Sequence, residues 1–318
     1  MNKIIFYIKK AIRDIKEPLI YDSFGEKSEL VSSYYIKYDL SDMLGQRSQN
    51  FHFDDDGIPI IPHYIDSSSR KEDDFHYFPI GIGQMALAYL HEYNKTNEIS
   101  YLDRFILLAD WFCNNQTDDG YWMSVTNVDK FGIYEPWKSS MSQSRAMSVL
   151  LRAWKVTNDE KYKLAADKAF STLIKIESPV CTNFHGRFYL EYPGSVSPKV
   201  LNGFIFSMYG LYDYYHFVGN DESKGMFDEC VTTLKNIIDL FDTGYWSCYD
   251  YNHIEHGYDL NICTVHYHFI HVVQLETIFK LTGDEFFNNK SLDWAAYYDS
   301  KFNLFRIYLE KAKVVLSR

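Results

Sequence analysis

The chain has no Gly-rich loop able to cradle phosphate, so the usual signature of a bound nucleotide or dinucleotide is missing and no organic cofactor is expected. Its five cysteines (Cys113, Cys181, Cys230, Cys248 and Cys263) form no C-x-x-C pair and no zinc spacing, and their number is odd. They read as free thiols of a reducing, cytoplasmic compartment, with no metal site among them. No apolar run approaches the roughly 20 residues that a membrane-spanning helix needs. The basic stretch MNKIIFYIKKAIRDIKEP lacks a small-residue cleavage site and reads as a plain first helix over residues 1–20, closed by Pro18. Positive charge is also short: the balance is −11 at pH 7. That disfavours nucleic acid as a partner, and an anionic ligand would need a local basic patch.

Aromatic residues are abundant, with 27 Tyr and 23 Phe. They suit helix packing and sugar-stacking grooves equally, so composition does not separate the two. The organising signal is an internal repeat. Four apolar helical segments each end in a short polar turn, at Thr96-Asn97-Glu98, Thr157-Asn158-Asp159-Glu160, Val218-Gly219-Asn220-Asp221-Glu222 and Thr282-Gly283-Asp284-Glu285. The turns start 61, 61 and 64 residues apart. A unit of that length holds two helices and a long return loop, which is too long for tetratricopeptide or ankyrin units and suits helical hairpins closed into an α/α toroid. The expected fold is therefore mainly α: a toroid of about four hairpins over residues 76–318, preceded by a helix and a small β-rich lobe over residues 1–75. Ser67–Asp74 reads as a polar loop in that lobe. Asp54–Asp56 reads as a solvated turn, since it lacks the ligand spacing of a calcium loop. Gly120–Val125 and Arg187–Pro193 look strand-like.

Polar residues recur near the starts of the inner helices: Gln84, Gln143, Asn202 and His271. In the last one, Tyr267, His271 and Gln274 fall at i, i+4 and i+7, on one helix face. An apolar core stripe is the usual occupant of such a face, so this one points to a polar cavity. Packed aromatics with satisfied hydrogen bonds would also explain it. His266, His268 and His271 have spacing that a metal would accept.

Several pieces together resemble the C-terminal region of the D-glucuronyl C5-epimerases, which invert glucuronate to iduronate in heparan-type chains. They are Gly120-Tyr121-Trp122, Glu135-Pro136-Trp137-x-Ser139-x-Met141-x-Gln143 with Arg152-Ala153, and Glu191-Tyr192-Pro193. Val200-Leu201-Asn202-Gly203-Phe204 with Gly210-Leu211-Tyr212-Asp213, Tyr249-Asp250, and Tyr267-His268-x-x-His271-x-x-Gln274-Leu275 follow in order. The resemblance covers roughly residues 75–280. It implies a β-rich N-terminal part, an α/α-barrel, no metal in the chemistry, and an active site of Glu191, Tyr192, Tyr249 and Tyr267. His268 and His271 then become hydrogen-bonding groups around Tyr267. Two departures stand out: Asn252 replaces a basic residue, and Gln143-Ser144-Arg145 stands where the family has Gln-Gly-Gln.

Inversion at C5 of a uronate needs two acid/base groups flanking the ring, and donors or cations that strengthen as the carboxylate gains charge. Glu191 and Tyr267 are the expected pair, with Tyr192 and Tyr249 orienting the sugar or relaying protons. Lys138, Arg145 and Arg187 are candidates for holding uronate carboxylates, with Gln84, Gln143 and Asn202 lining the same mouth. The expected partner is an acidic, uronate-containing polysaccharide; a homodimer is admitted, with no residue assigned to its interface. A uronate lyase, which shares the first step and then expels the C4 substituent, and a non-catalytic glycan-binding protein are the alternatives. A paired-carboxylate glycosidase is disfavoured because Glu191 has no evident carboxylate partner in the sequence.

Overall fold

The computed structural model describes residues 9, 11–14, 16, 21–46, 51–66, 69–134, 136–175 and 177–316. The helix expected over residues 1–20 lies mostly outside these.

Four inner helices carry the architecture: α1 (Pro79–Thr96), α3 (Ser140–Thr157), α5 (Leu201–Val218) and α7 (Val265–Thr282). Each is 18 residues long. Each ends on a left-handed residue, Asn97 at φ 59°, Asn158 at 59°, Gly219 at 78° and Gly283 at 75°. Asn and Gly are the residues that adopt this conformation most readily, so the repeated turns are helix stops. Outer helices start immediately afterwards: α2 (Ile99–Asn114), α4 (Glu160–Ile174), α6 (Asp221–Ile237) and α8 (Glu285–Asp299). The Asp159, Asn220 and Asp284 side chains cap three of them, accepting from the backbone N–H of Lys161, Ser223 and Phe286. The polar turn thus ends one helix and begins the next.

The inner helices are buried on nearly all sides, whereas an outer helix such as α6 buries one stripe. Each hairpin packs on the next, α1 on α3, α3 on α5 and α5 on α7, giving an α/α toroid with a last helix, α9 (Lys301–Leu316), beyond it. Gly210 allows α5 a close approach to α3: a Cβ there would lie 2.6 Å from the Ser144 backbone. A bidentate ion pair, Arg152 Nη1 to Asp213 Oδ2 at 2.8 Å and Nη2 to Oδ1 at 3.1 Å, ties α3 to α5 with both side chains fully buried.

Three small sheets accompany the helices. β1 (Asp22–Ser23) pairs with β2 (Ile36–Lys37), and β3 (His52–Phe53), β4 (Pro59–Asp66) and β5 (Ser69–Tyr77) form an antiparallel sheet in that order. β6 (Cys181–Asn183) pairs with β7 (Arg187–Tyr189). The loop expected at Ser67–Asp74 is instead largely strand: β5 pairs back on β4 from Asp66↔Ser69 to Ile60↔Tyr77, and this pairing, invisible in local composition, satisfies its backbone. Gly120–Val125 is not a strand; an isolated bridge from Ser124 to Trp137 pins it. Asp54 holds its own turn, accepting from the N–H of Ile58 (2.7 Å) and the Tyr77 hydroxyl (2.6 Å).

Residues 21–38 reach every inner helix. Asn94 of α1 donates to the Ser32 carbonyl, Arg152 of α3 to that of Ser33, and the Tyr35 hydroxyl to Asp213 of α5 at 2.7 Å. On α7, Ser23 donates to Glu276 and Lys280 donates to the Phe24 carbonyl. Among the described residues no helix is long and apolar enough to cross a membrane.

Candidate active site

The long loops meet at the N-terminal ends of the inner helices. Leu190 is fastened there, its carbonyl accepting from the Ser140 N–H (3.1 Å) and hydroxyl (2.8 Å) at the first residue of α3. This delivers Glu191 onto α5. A Cβ on Gly203 would fall 2.3 Å from Glu191 Oε2, so glycine is what lets the carboxylate lie against the helix. The second loop is held by Leu201 N–H donating to the Tyr249 carbonyl (3.2 Å) and by Asn261 donating to the buried Asp250 carboxylate. The Thr264 hydroxyl accepts from the Tyr267 N–H, starting α7 at the same mouth.

These three anchors gather Glu191, Tyr192, Tyr249 and Tyr267 from three separate parts of the chain. Tyr192 lies beside the Glu191 carboxylate and Tyr249 beside Tyr192, and Glu191 Oε2 is buried without a hydrogen-bond partner. The Tyr249 and Tyr267 rings meet edge to face, 5.0 Å between centroids. Glu191 is only 5% exposed, while the three tyrosines are half-buried, so phenols stand between the acid and solvent. Burial raises the Glu191 carboxyl from 4.5 to about 7, against the lowering effects of the neighbouring Tyr192 and of the Arg145 charge. Burial, reinforced by Glu191, pushes Tyr192 and Tyr249 well above 10, so both rest as neutral phenols.

Trp137 and Phe131 pack on the Tyr192 ring at 5.4 and 5.3 Å. Beyond Trp137 opens a cleft of about 470 Å³ whose lining includes Met123, Tyr134, Trp137, Lys138 and Pro193. Tyr134 stands 67% exposed there. Lys138 lies at this cleft, 2.7 Å from Asp119 and over the Tyr121 ring.

The remaining expected residues divide. Arg187 is away from the cluster, bound through Nε to Glu229 of outer helix α6 at 2.7 Å. Gln143 is fully buried and bound within the protein: it donates to Gly120 O and Thr172 Oγ1 and accepts from the Trp122 N–H, so it fastens a loop to α3. Arg145 is 1% exposed, which closes it to direct contact with a sugar in this structure. Gln84 is half-buried on α1, and Asn202 is buried with Oδ1 unpartnered.

His268 is likewise fully engaged. Its Nε2 lies 2.8 Å from the Trp294 carbonyl and must donate, so Nδ1 accepts from the Ser247 hydroxyl at 2.8 Å. The Ser247 oxygen then accepts from His271 Nδ1 at 3.0 Å, leaving His271 Nε2 a bare, buried acceptor. Burial lowers the two imidazoles to about 4 and about 3, so both are neutral near pH 7. Among the described residues no group of three or more His, Cys, Asp or Glu is placed to hold a metal. Sequence reasoning did not single out Phe131, Tyr134, Gly203 or Ser247. Of these only Gly203 lay inside a quoted motif.

A helical toroid whose loop-bearing mouth sets the buried Glu191 beside three phenols defines the class. Solved structures with this fold include a GH76A α-1,6-mannanase from Salegentibacter sp. HEL1_6, at TM-score 0.50 and 15% identity over 71% of this chain and 62% of that one. A GH76 α-mannanase from Bacteroides thetaiotaomicron matches at TM-score 0.52 and 11% identity over 78% and 62%. At such identities the likeness is one of fold alone. The family is given by sequence: residues 118–296 match the D-glucuronyl C5-epimerase C-terminus, and the chain belongs to that family. A D-glucuronyl C5-epimerase of Caenorhabditis elegans is 35% identical over a 213-residue alignment that covers 61% of this chain and 34% of that protein. The match thus takes in about a third of that relative's length.

Proposed function

We propose that this protein is a C5-epimerase that converts D-glucuronate to L-iduronate residues within an acidic polysaccharide. The observation that carries this reading is the convergence of Glu191, Tyr192, Tyr249 and Tyr267 at one mouth of the toroid. Glu191, titrating near 7, is suited to take the proton from C5 at neutral pH. The electron pair left behind moves into the uronate carboxylate. Tyr267 returns a proton to the opposite face of C5, and the reverse reaction exchanges the two roles.

Tyr192 stands beside Glu191 and the Tyr249 ring against Tyr267. Held neutral by burial, Tyr192 and Tyr249 offer hydroxyl donors to the charge that grows on the carboxylate. The N-termini of α3, α5 and α7 face the same mouth, and their dipoles favour an anion there. Neighbouring sugars of the chain would run into the cleft beyond Trp137, where Tyr134 offers a stacking face and Lys138 a cation. No step calls for a metal or an organic cofactor.

Incubation with unsulfated glucuronate-containing polysaccharides in heavy water tests the reading by NMR. Deuterium at C5 with formation of iduronate and unchanged chain length is expected. Shortened chains ending in an unsaturated uronate would instead mean a lyase, and binding without any exchange a non-catalytic glycan-binding protein.

A further inference from the structure

Two arginines lie one above the other on α3, at positions 145 and 152, and both are buried. Arg152 is matched by the Asp213 carboxylate. Arg145 has no such match. Its one hydrogen bond runs from Nη1 to the Tyr38 hydroxyl at 3.0 Å, while Nε and Nη2 have no partner. The guanidinium is enclosed by the rings of Phe206 (4.4 Å), Tyr34 (5.0 Å) and Tyr38 (5.5 Å). Its stem runs so close under α1 that a Cβ on Gly83 would lie 2.3 Å from Arg145 Cγ. A buried cation lacking a counter-charge is destabilising, and apolar residues of similar size usually fill such a site at no loss. Packing therefore does not account for an arginine here.

Its surroundings do. The rings around Arg145 are Tyr34 and Tyr38 from the N-terminal segment and Tyr209 and Phe206 from α5, and Gly203, one turn before Phe206 on α5, is where Glu191 is seated. Glu191 is the carboxyl on which the Arg145 charge acts, and Tyr192 and Tyr249 beside it are neutral phenols. We infer that Arg145 is a positioning residue for Glu191: a sealed positive charge, seated by Tyr34 and Tyr38 one helical turn from the seat of Glu191, that serves as the counter-charge of the buried carboxylate. Residues 34–38, outside the stretch that defines the family, thereby become part of the active site's electrostatics. The inference deepens the proposed acid/base role of Glu191 and rests on that reading only for its catalytic meaning.

The test uses the full chain labelled with ¹³C at glutamate carboxyls, with Glu191→Gln to assign the signal, and needs no substrate. In Arg145→Met, a neutral residue that fits the aromatic cage, the Glu191 titration midpoint is expected to rise by about one pH unit or more. Arg145→Gln should do the same, and Arg145→Lys should restore the wild-type midpoint. The Met variant should melt no lower than wild type, which a purely structural arginine would not permit. Where C5 exchange is measurable, its acid limb should move with the titration, a loss of roughly tenfold at a pH one unit below the wild-type midpoint. An unmoved Glu191 midpoint in a folded neutral variant, or unfolding of both neutral variants, overturns the inference. A moved midpoint in a protein that never exchanges C5 would uphold it and sink the proposed activity instead.

Discussion

A carboxyl that keeps its proton up to about pH 7 bears on stability as well as chemistry. In the unfolded chain Glu191 ionises near 4.5, whereas in the folded protein it does so near 7. Between those values the folded state binds the extra proton, so this residue's contribution falls as pH rises through the window, by about 3 kcal/mol in all. Glu191→Gln removes that dependence. The variant should be more stable than wild type at pH 8 and about equal to it at pH 4.5, as read by urea unfolding at both values. Equal gains at both would mean that burial of the charge is not what raises the pKa. Glu191, Tyr192, Tyr249 and Tyr267 were all legible through short motifs. Their surroundings were less so: Arg145 and Gln143 sit in the same motif, yet one is a sealed cation and the other a loop fastener. Side-chain partners more than twenty residues away decide between those fates, and no local pattern records them.

The elements were legible to different degrees. The inner helix expected to carry Tyr267, His271 and Gln274 and to end at Thr282-Gly283 is α7, with Thr264 as its cap and Gly283 as its stop. Its polar face is real too: His271 and Gln274 are fully buried, and Gln274 donates to the Asn202 carbonyl of α5 at 3.0 Å. Hydrophobic period and capping residues are local signals, so they were readable. β5 was missed because charged residues disguise a strand whose backbone partner is β4. The β-rich lobe was expected, but not its seating on the helices, since Tyr35 bonds Asp213, 178 residues away. That link sits on the α3–α5 ion pair. Asp213→Ala would leave Arg152 buried and unmatched, and a loss of about 3–5 kcal/mol is expected in chemical denaturation. A loss below 1 kcal/mol would show that this pair does not hold the two helices together.

Over the whole molecule, the repeat explains why the site exists. Four helices of equal length, all stopped at the same kind of turn, bring their N-termini to one mouth. The loops that must return from the outer helices are long, and they carry Trp137, Glu191 and Tyr249 to that mouth. On the proposed function, an acidic chain would receive an acidic glycan because helix dipoles, Lys138 and neutral phenols make the mouth locally hospitable to a carboxylate. Repeat spacing was visible in the sequence, and so was the toroid. The seating of residues 21–38 across all four inner helices was not, because it depends on packing between the most distant parts of the chain.

The central claim is that Glu191 and Tyr267 serve opposite faces of one sugar carbon. It is tested most directly by C5 deuterium incorporation in heavy water, resolved by epimer, for wild type, Glu191→Gln and Tyr267→Phe. Wild type should label glucuronate and iduronate units alike. Each variant should lose interconversion while keeping its fold, and any residual exchange should survive in one epimer only, a different one in each variant. Interconversion at the wild-type rate in either variant, or residual exchange in the same epimer for both, would contradict it.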